Sequence, residues 1–138
     1  MTKYEYKGII KVNTQSILDL YQSVNWTNYT KNSIALLKGI ENSLCTIGAF
    51  REEQLIGLIR IVGDGYTIIY IQDILVHPNH QRNGVGQELM KRALNKYSMV
   101  RQKVLLADTS DELNHFYQKM GFTPTVNLDL ICHVRLDS

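Results

Sequence analysis

The chain predicts an α+β fold: one mixed, mostly antiparallel sheet with helices on both faces. Three observations point there. Three strand-like apolar runs follow one another between residues 44 and 76, parted only by the short turn sequences "REEQ" and "GDG". A helix-spaced stretch then separates the last of them from another short apolar run, "KVLLA". A strand, a helix and a second strand in that order make a parallel crossover, so the sheet is mixed. Helical periodicity before, between and after these runs supplies layers to cover it.

In chain order, "YEYKGIIKV" reads as a first strand, ended by Asn13 or Thr14, either of which can cap a helix. Ile17, Leu18, Tyr21 and Val24 recur at helical spacing, and after "NWTNYT" so do Ile34, Leu37 and Ile40. The strands "LCTIGAF", "LIGLIRIV" and "YTIIYIQDILV" follow as antiparallel neighbours. The next helix carries Val85, Leu89, Ala93, Leu94 and Tyr97 on one face, and leads into "KVLLA". Thr109 with Glu112 forms a capping box for a helix whose Leu113, Phe116, Tyr117 and Met120 share a face, and Gly121 ends it. "LDLICHVRL" alternates cleanly and predicts a closing strand with one dry face.

Length and composition narrow the function classes. A chain of 138 residues makes one domain, residues 1–138, with a real core. With 44% hydrophobic and 20% charged residues it reads as an ordinary globular protein. A net charge of +2, with Lys and Arg scattered, argues against nucleic acid as a partner. No apolar run approaches ~20 residues and no leader pattern opens the chain, so neither membrane insertion nor secretion is expected, and the location expected is cytoplasmic. Cys45 and Cys132 lack metal or redox spacing and read as reduced core thiols. His77 and His80 have a proline between them and no third ligand, so no metal site is expected.

The stretch Gln81, Arg82, Asn83, Gly84, Val85, Gly86 stands at a strand-to-helix junction. N–H groups at a helix start lack partners and carry partial positive charge, glycine lets an anion approach the backbone, and Arg82 adds a full charge. Together they describe a phosphate cradle or, more plainly, a glycine-assisted helix start. No Gly-Lys-Ser/Thr follows, and Leu89 stands where a dinucleotide fingerprint would place its third glycine.

The sequence "ILVHPNHQRNGVG" resembles the cofactor signature of the GNAT superfamily of acyl-CoA-dependent N-acetyltransferases, and "FYQKMGF" is similar to that family's second block. The element order matches over nearly the whole chain; Ser110 stands where many members carry Asn. The resemblance implies a splayed central strand pair and acetyl-CoA as acyl donor. The cofactor's diphosphate would rest on residues 81–86 and its pantetheine arm would run along Ile74, Leu75 and Val76. It further implies Tyr117 as the acid that protonates the departing thiolate. The implied acceptor is a primary amine of a small molecule or peptide, acetylated directly in a ternary complex, and a homodimer stays open. A non-catalytic CoA-binding sensor of the same fold, or a transferase of a different acyl group, are the competing readings.

An alkylammonium with a pKa near ~10.4 is only about one part in a thousand neutral at pH 7, so a proton acceptor helps the reaction. Asp73 lies inside an apolar strand, where a carboxylate is costly unless paired or solvated. It reads equally as a catalytic or substrate-binding group and as a structural carboxylate. Trp26 and Tyr29, between the first two helices, are either core anchors or a wall of the acceptor pocket.

Overall fold

Two tight turns set the antiparallel part of the sheet in the computed structural model, which describes residues 3–9 and 12–137. β1 (Glu5–Gly8), β2 (Cys45–Arg51), β3 (Gln54–Gly63) and β4 (Ile68–Val76) pair in sequence order, each antiparallel to the next. Between β2 and β3, Glu52 and Glu53 both take left-handed backbone angles, φ 49° and 68°, the requirement of a type I′ hairpin. Between β3 and β4, the Asp64 carboxylate accepts N–H bonds from Tyr66, Thr67 and Ile68 at 2.7–3.1 Å, in an Asx-type turn. The Thr67 hydroxyl, which donates to the same carboxylate, and then these N–H bonds hold the Asp64 carboxyl well below its usual range. Ile10 and Lys11 of the expected first strand lie outside the described residues.

The fifth strand, β5 (Gln102–Leu105), joins β4 in parallel through α4 (Val85–Lys96), as the crossover predicts. Its ladder with β4 runs only from Ile68 to Ile71. From Gln72 to Val76, β4 has β3 on one side and no strand on the other among the described residues. This is the splay that the resemblance implies.

A bulge coincides with the opening. Ile61 pairs with Ile71 and Arg60 with Asp73, so Gln72 is an extra residue in β4. Arg60 and Ile61 are consecutive and point to opposite faces, so Asp73 and Ile71 do too, although they are two apart. The bulge therefore reverses the strand's side-chain phase. The burial pattern still reads as an unbroken alternation, with Ile69, Ile71, Asp73 and Leu75 buried, but it serves two different layers.

One layer is formed by α1 (Thr14–Ser23), the single turn α2 (Thr27–Thr30) and α3 (Ser33–Glu41). Asn13 caps α1 by accepting the Gln15 N–H at 2.7 Å. Ile17, Leu20, Tyr21 and Leu36 pack with Phe50, Leu55, Leu58 and Leu75 of the sheet. The face of α3 differs from expectation: Leu36 is the buried residue, while Ile34 is exposed. On the opposite face lies α4, where Val85, Leu89, Met90 and Ala93 are buried and Gly57 lets Val85 sit against β3. These elements form one compact unit, Met1–Leu106.

A second compact unit is Ala107–Ser138. Its helix α5 (Asp111–Lys119) is capped by Ser110, whose Oγ accepts the Leu113 N–H at 3.0 Å, one residue later than the expected Thr109. Bonds from Gly121 N–H to Gln118 and from Phe122 N–H to Tyr117 close its C-terminus, with Gly121 at φ 95°. The closing strand expected over 128–136 is absent: a 3-10 turn spans Thr125–Leu128, and the rest of the described segment has no regular structure. Asp129, left-handed at φ 57°, breaks the extended run between Leu128 and Leu130. Alternation specifies a strand only where a partner ladder takes it up. Leu130 is 60% exposed, and Cys132, expected in the core, is exposed as well. Among the described residues no helix is long and apolar enough to cross a membrane.

Candidate active site

Beyond Val76 the chain makes a 3-10 turn, Pro78–His80, then enters α4 through residues 81–84. Polar side chains brace this loop from within. His77 Nδ1 accepts the Asn79 N–H at 3.1 Å, the Gln81 side chain donates to the Val76 carbonyl at 3.0 Å, and Asn83 reaches the His80 carbonyl at 3.3 Å. Tyr4 ties the start of the sheet to His80 at 3.1 Å. The work of Gln81 and Asn83 is thus to hold the loop's shape through their side chains, while Arg82 is exposed.

Arg82 at φ 66° and Gly84 at φ 78° are both left-handed. A left-handed residue followed by a right-handed one, as Gly84 is by helical Val85, turns successive N–H groups toward one point, the geometry of an anion-binding nest. Space opens where a Gly84 Cβ would stand, with no heavy atom within 4 Å. The first N–H to find a helical acceptor is that of Glu88, on the Gly84 carbonyl at 3.0 Å. Helix geometry leaves the N–H groups of Val85, Gly86 and Gln87 without one, at the positive end of a 12-residue helix. Val85, 1% exposed, pins this helix start to the sheet. The open half of β4 (Ile74, Leu75, Val76) and the nest are consecutive in the chain. They fit an acyl-CoA: amides of the arm along a strand edge, phosphates on N–H groups.

On the α1–α3 face, Asp73 is buried within a polar cluster. Its Oδ2 accepts Arg60 Nε at 2.7 Å and the Tyr21 hydroxyl at 2.8 Å; its Oδ1 accepts the Tyr29 hydroxyl at 2.6 Å. Tyr29 in turn accepts from Gln72 Nε2 at 2.9 Å. Burial draws the Arg60 guanidinium down, and the charge and bond of Asp73 more than reverse it, so Arg60 stays a cation. Burial, then the charge and bond of Asp73, push the Tyr21 phenol far above its ordinary range. Burial and the Asp73 bond raise Tyr29 as well, opposed by the Gln72 bond. Both oxygens of Asp73 are engaged, so of the two roles open from sequence the geometry favours the paired carboxylate. Trp26 packs edge-on to Tyr21 at 6.0 Å and tilted against Tyr29 at 6.2 Å, which brings the expected Trp26, Tyr29 and Asp73 into one cluster.

Tyr21, Arg60 and Gln72 were not among the expected site residues. A signal existed for Arg60: it is the one charge in an apolar strand, across a short turn from a strand holding a lone Asp. Tyr117 belongs to the second unit. Its ring meets Phe116 at 5.2 Å and Phe122 at 6.2 Å, and burial with nearby Asp108 raises its phenol, so it stays protonated.

The acetyltransferase (GNAT) domain family matches residues 4–131. A protein of Prochlorococcus marinus named as an uncharacterized N-acetyltransferase, ycf52-like, is 31% identical over 120 residues, which is 82% of this chain and 66% of that protein. The chain thus spans just under two thirds of that relative's length. A GNAT-family acetyltransferase from Streptococcus pneumoniae TIGR4 superposes with a TM-score of 0.80 at 30% identity, covering 99% of this chain and 98% of its own. An aminoglycoside N-acetyltransferase solved with CoA shares the fold alone, with a TM-score of 0.70 at 17% identity over 100% of this chain and 97% of that one. Family match, fold and splayed sheet agree: the chain belongs to the GNAT family of acetyltransferases.

Proposed function

We propose that the protein, as one functional domain over residues 1–138 and in the cytoplasm, moves an acetyl group from acetyl-CoA directly to a primary amine of a small molecule or peptide within a ternary complex. The observation that carries this reading is the continuity between the unpaired half of β4 and the left-handed nest at Gly84. Amides of the pantetheine arm pair along Ile74–Val76, and the diphosphate accepts N–H groups from residues 81–86, with Arg82 adding charge. Both interactions are main-chain ones, which is why apolar residues and glycines suffice there.

Tyr117 donates its proton to the departing thiolate, and the ring and hydroxyl of Tyr29 with Trp26 form the acceptor wall. Asp73, held by Arg60, fixes Tyr29 in place rather than taking the ammonium proton. The amine then loses that proton to water, and amines of lower pKa react faster.

Calorimetric titration with CoA tests the cradle. Gly84→Val forces a β-branched side chain onto a left-handed residue beside the nest. It should weaken binding at least tenfold, about 1.4 kcal/mol, in a variant that still folds but melts lower by the strain of the left-handed φ. Equal affinity in a folded variant overturns the site. Tight CoA binding without thiol release from acetyl-CoA, across a library of amines, would make the protein a CoA sensor instead.

A further inference from the structure

At the start of β2, Cys45 meets the end of α4. Lys96 Nζ lies 3.5 Å from Cys45 Sγ, and the ammonium also sits 5.8 Å from the centre of the neighbouring Tyr97 ring. Cys45 is half-buried, and Lys96 is exposed. Burial, followed by the influence of nearby Cys45, pushes the Tyr97 phenol up to about 12, so it stays protonated. None of these residues belongs to the cofactor cradle or the acceptor cluster.

A soft nucleophile and an amine at this separation form an acyl relay. We propose that Cys45 takes an acyl group from an acyl thioester such as acetyl-CoA and hands it to Lys96, which makes Lys96 a site of self-acetylation. In the first step the Cys45 thiolate attacks the thioester carbonyl, a new S–C bond forms, and the carbon–sulfur bond to the CoA thiolate breaks. In the second, the neutral Lys96 amine attacks the same carbonyl, the N–C bond forms, the Cys45 S–C bond breaks and the thiolate returns. The ammonium proton leaves to solvent. The sum is one thioester and one lysine giving one amide and one thiol, with Cys45 regenerated and no oxidant or metal required.

Each step needs what the geometry supplies. Thiolates exchange with thioesters far more readily than amines attack them, because sulfur is the better nucleophile at neutral pH. The second step is intramolecular. An acyl carbon lies roughly 1.8 Å from the sulfur that carries it, within attack distance of an amine already 3.5 Å away. Effective molarities of well-placed pairs reach about 10⁵ M and above, so the relay outpaces direct acetylation of exposed lysines.

The test uses the full chain incubated with S-acetyl-N-acetylcysteamine, a small thioester lacking the nucleotide, and with acetyl-CoA in parallel. Peptide mass spectrometry reads every lysine. Lys96 should be acetylated at least tenfold faster than Lys38 or Lys91. Cys45→Ser and Cys45→Ala should each bring Lys96 down to that common rate, with folding checked by thermal melting. Lys96→Arg should trap a hydroxylamine-labile acetyl group on Cys45. Cys132, exposed on the tail, serves as the thiol control. Gly84→Val should leave labelling by the small thioester unchanged, so loss of the cofactor site and loss of the relay are read separately. Equal Lys96 labelling with and without the Cys45 thiol, or no trapped thioester in Lys96→Arg, overturns the proposal.

Discussion

Arg60 and Asp73 illustrate how a buried charge pair constrains its neighbours. Their side chains are 9% and 2% exposed, so removing either partner strands the other charge in the core, which costs about 3–5 kcal/mol. Replacing both with apolar residues of similar size removes that penalty. It creates another, because the fully buried Tyr21 hydroxyl then loses its acceptor, worth about 1–3 kcal/mol. Urea denaturation should therefore rank the variants in a set order. Arg60→Met and Asp73→Leu are each severely destabilised, the double variant recovers part of the loss, and adding Tyr21→Phe recovers more. A triple variant less stable than the double would show that Tyr21 finds another partner. The pair was only half legible from sequence. Asp73 announced itself as a carboxylate needing a partner, but which partner depends on register. Counting on from the pairs Gly63–Ile69, Val62–Tyr70 and Ile61–Ile71 would set Arg60 against Gln72. Only the bulge delivers Asp73, and no local residue pattern announces a bulge there.

At the scale of elements, the same bulge makes an unusual prediction about a deletion. Removing a residue from a central strand normally throws the remainder onto the wrong face. Here, with Gln72 gone, Ile71 and Asp73 become consecutive, as their opposite faces already demand, and every pairing with β3 is retained. The deletion should therefore fold, with a melting temperature near that of the parent. It also removes the bend that a bulge imposes, so β4 straightens where it now leaves β5. CoA affinity should fall at least tenfold, whereas Gln72→Ala, which keeps the extra residue, should retain it. A deletion variant that unfolds, or that binds CoA normally, refutes this account of the splay. Hairpins, crossover and the four longer helices were legible because local turn chemistry and periodicity specify them, whereas the single turn α2, inside the expected connection, was not. The closing strand was not, because alternation over 128–136 describes a surface that needs a partner ladder rather than one that has it.

For the molecule as a whole, apolar burial is uneven. Every fully buried hydrophobic residue among those described lies between Ile9 and Val100, and α5 contributes none. Stability resides in the sheet with its two helical layers, where truncating a residue such as Ile59 to Ala should cost about 2–5 kcal/mol. The exposed Leu130 exchanged for Ser should stay within about 0.5 kcal/mol. Denaturant midpoints of the two variants check the contrast. The unpaired length of β4 bears on a different property, the protein's solution behaviour. A free strand edge is a template for any passing chain, and proteins usually blunt such edges with charge, proline or cover. Gln72–Val76 holds one carboxylate, already neutralised by Arg60, and otherwise no charge. Under the proposed function, the edge that takes a pantetheine arm is also adhesive, and the ligand doubles as an edge protector. Saturating CoA should delay turbidity on prolonged warming below the melting transition, and the Gln72 deletion should resist it without ligand.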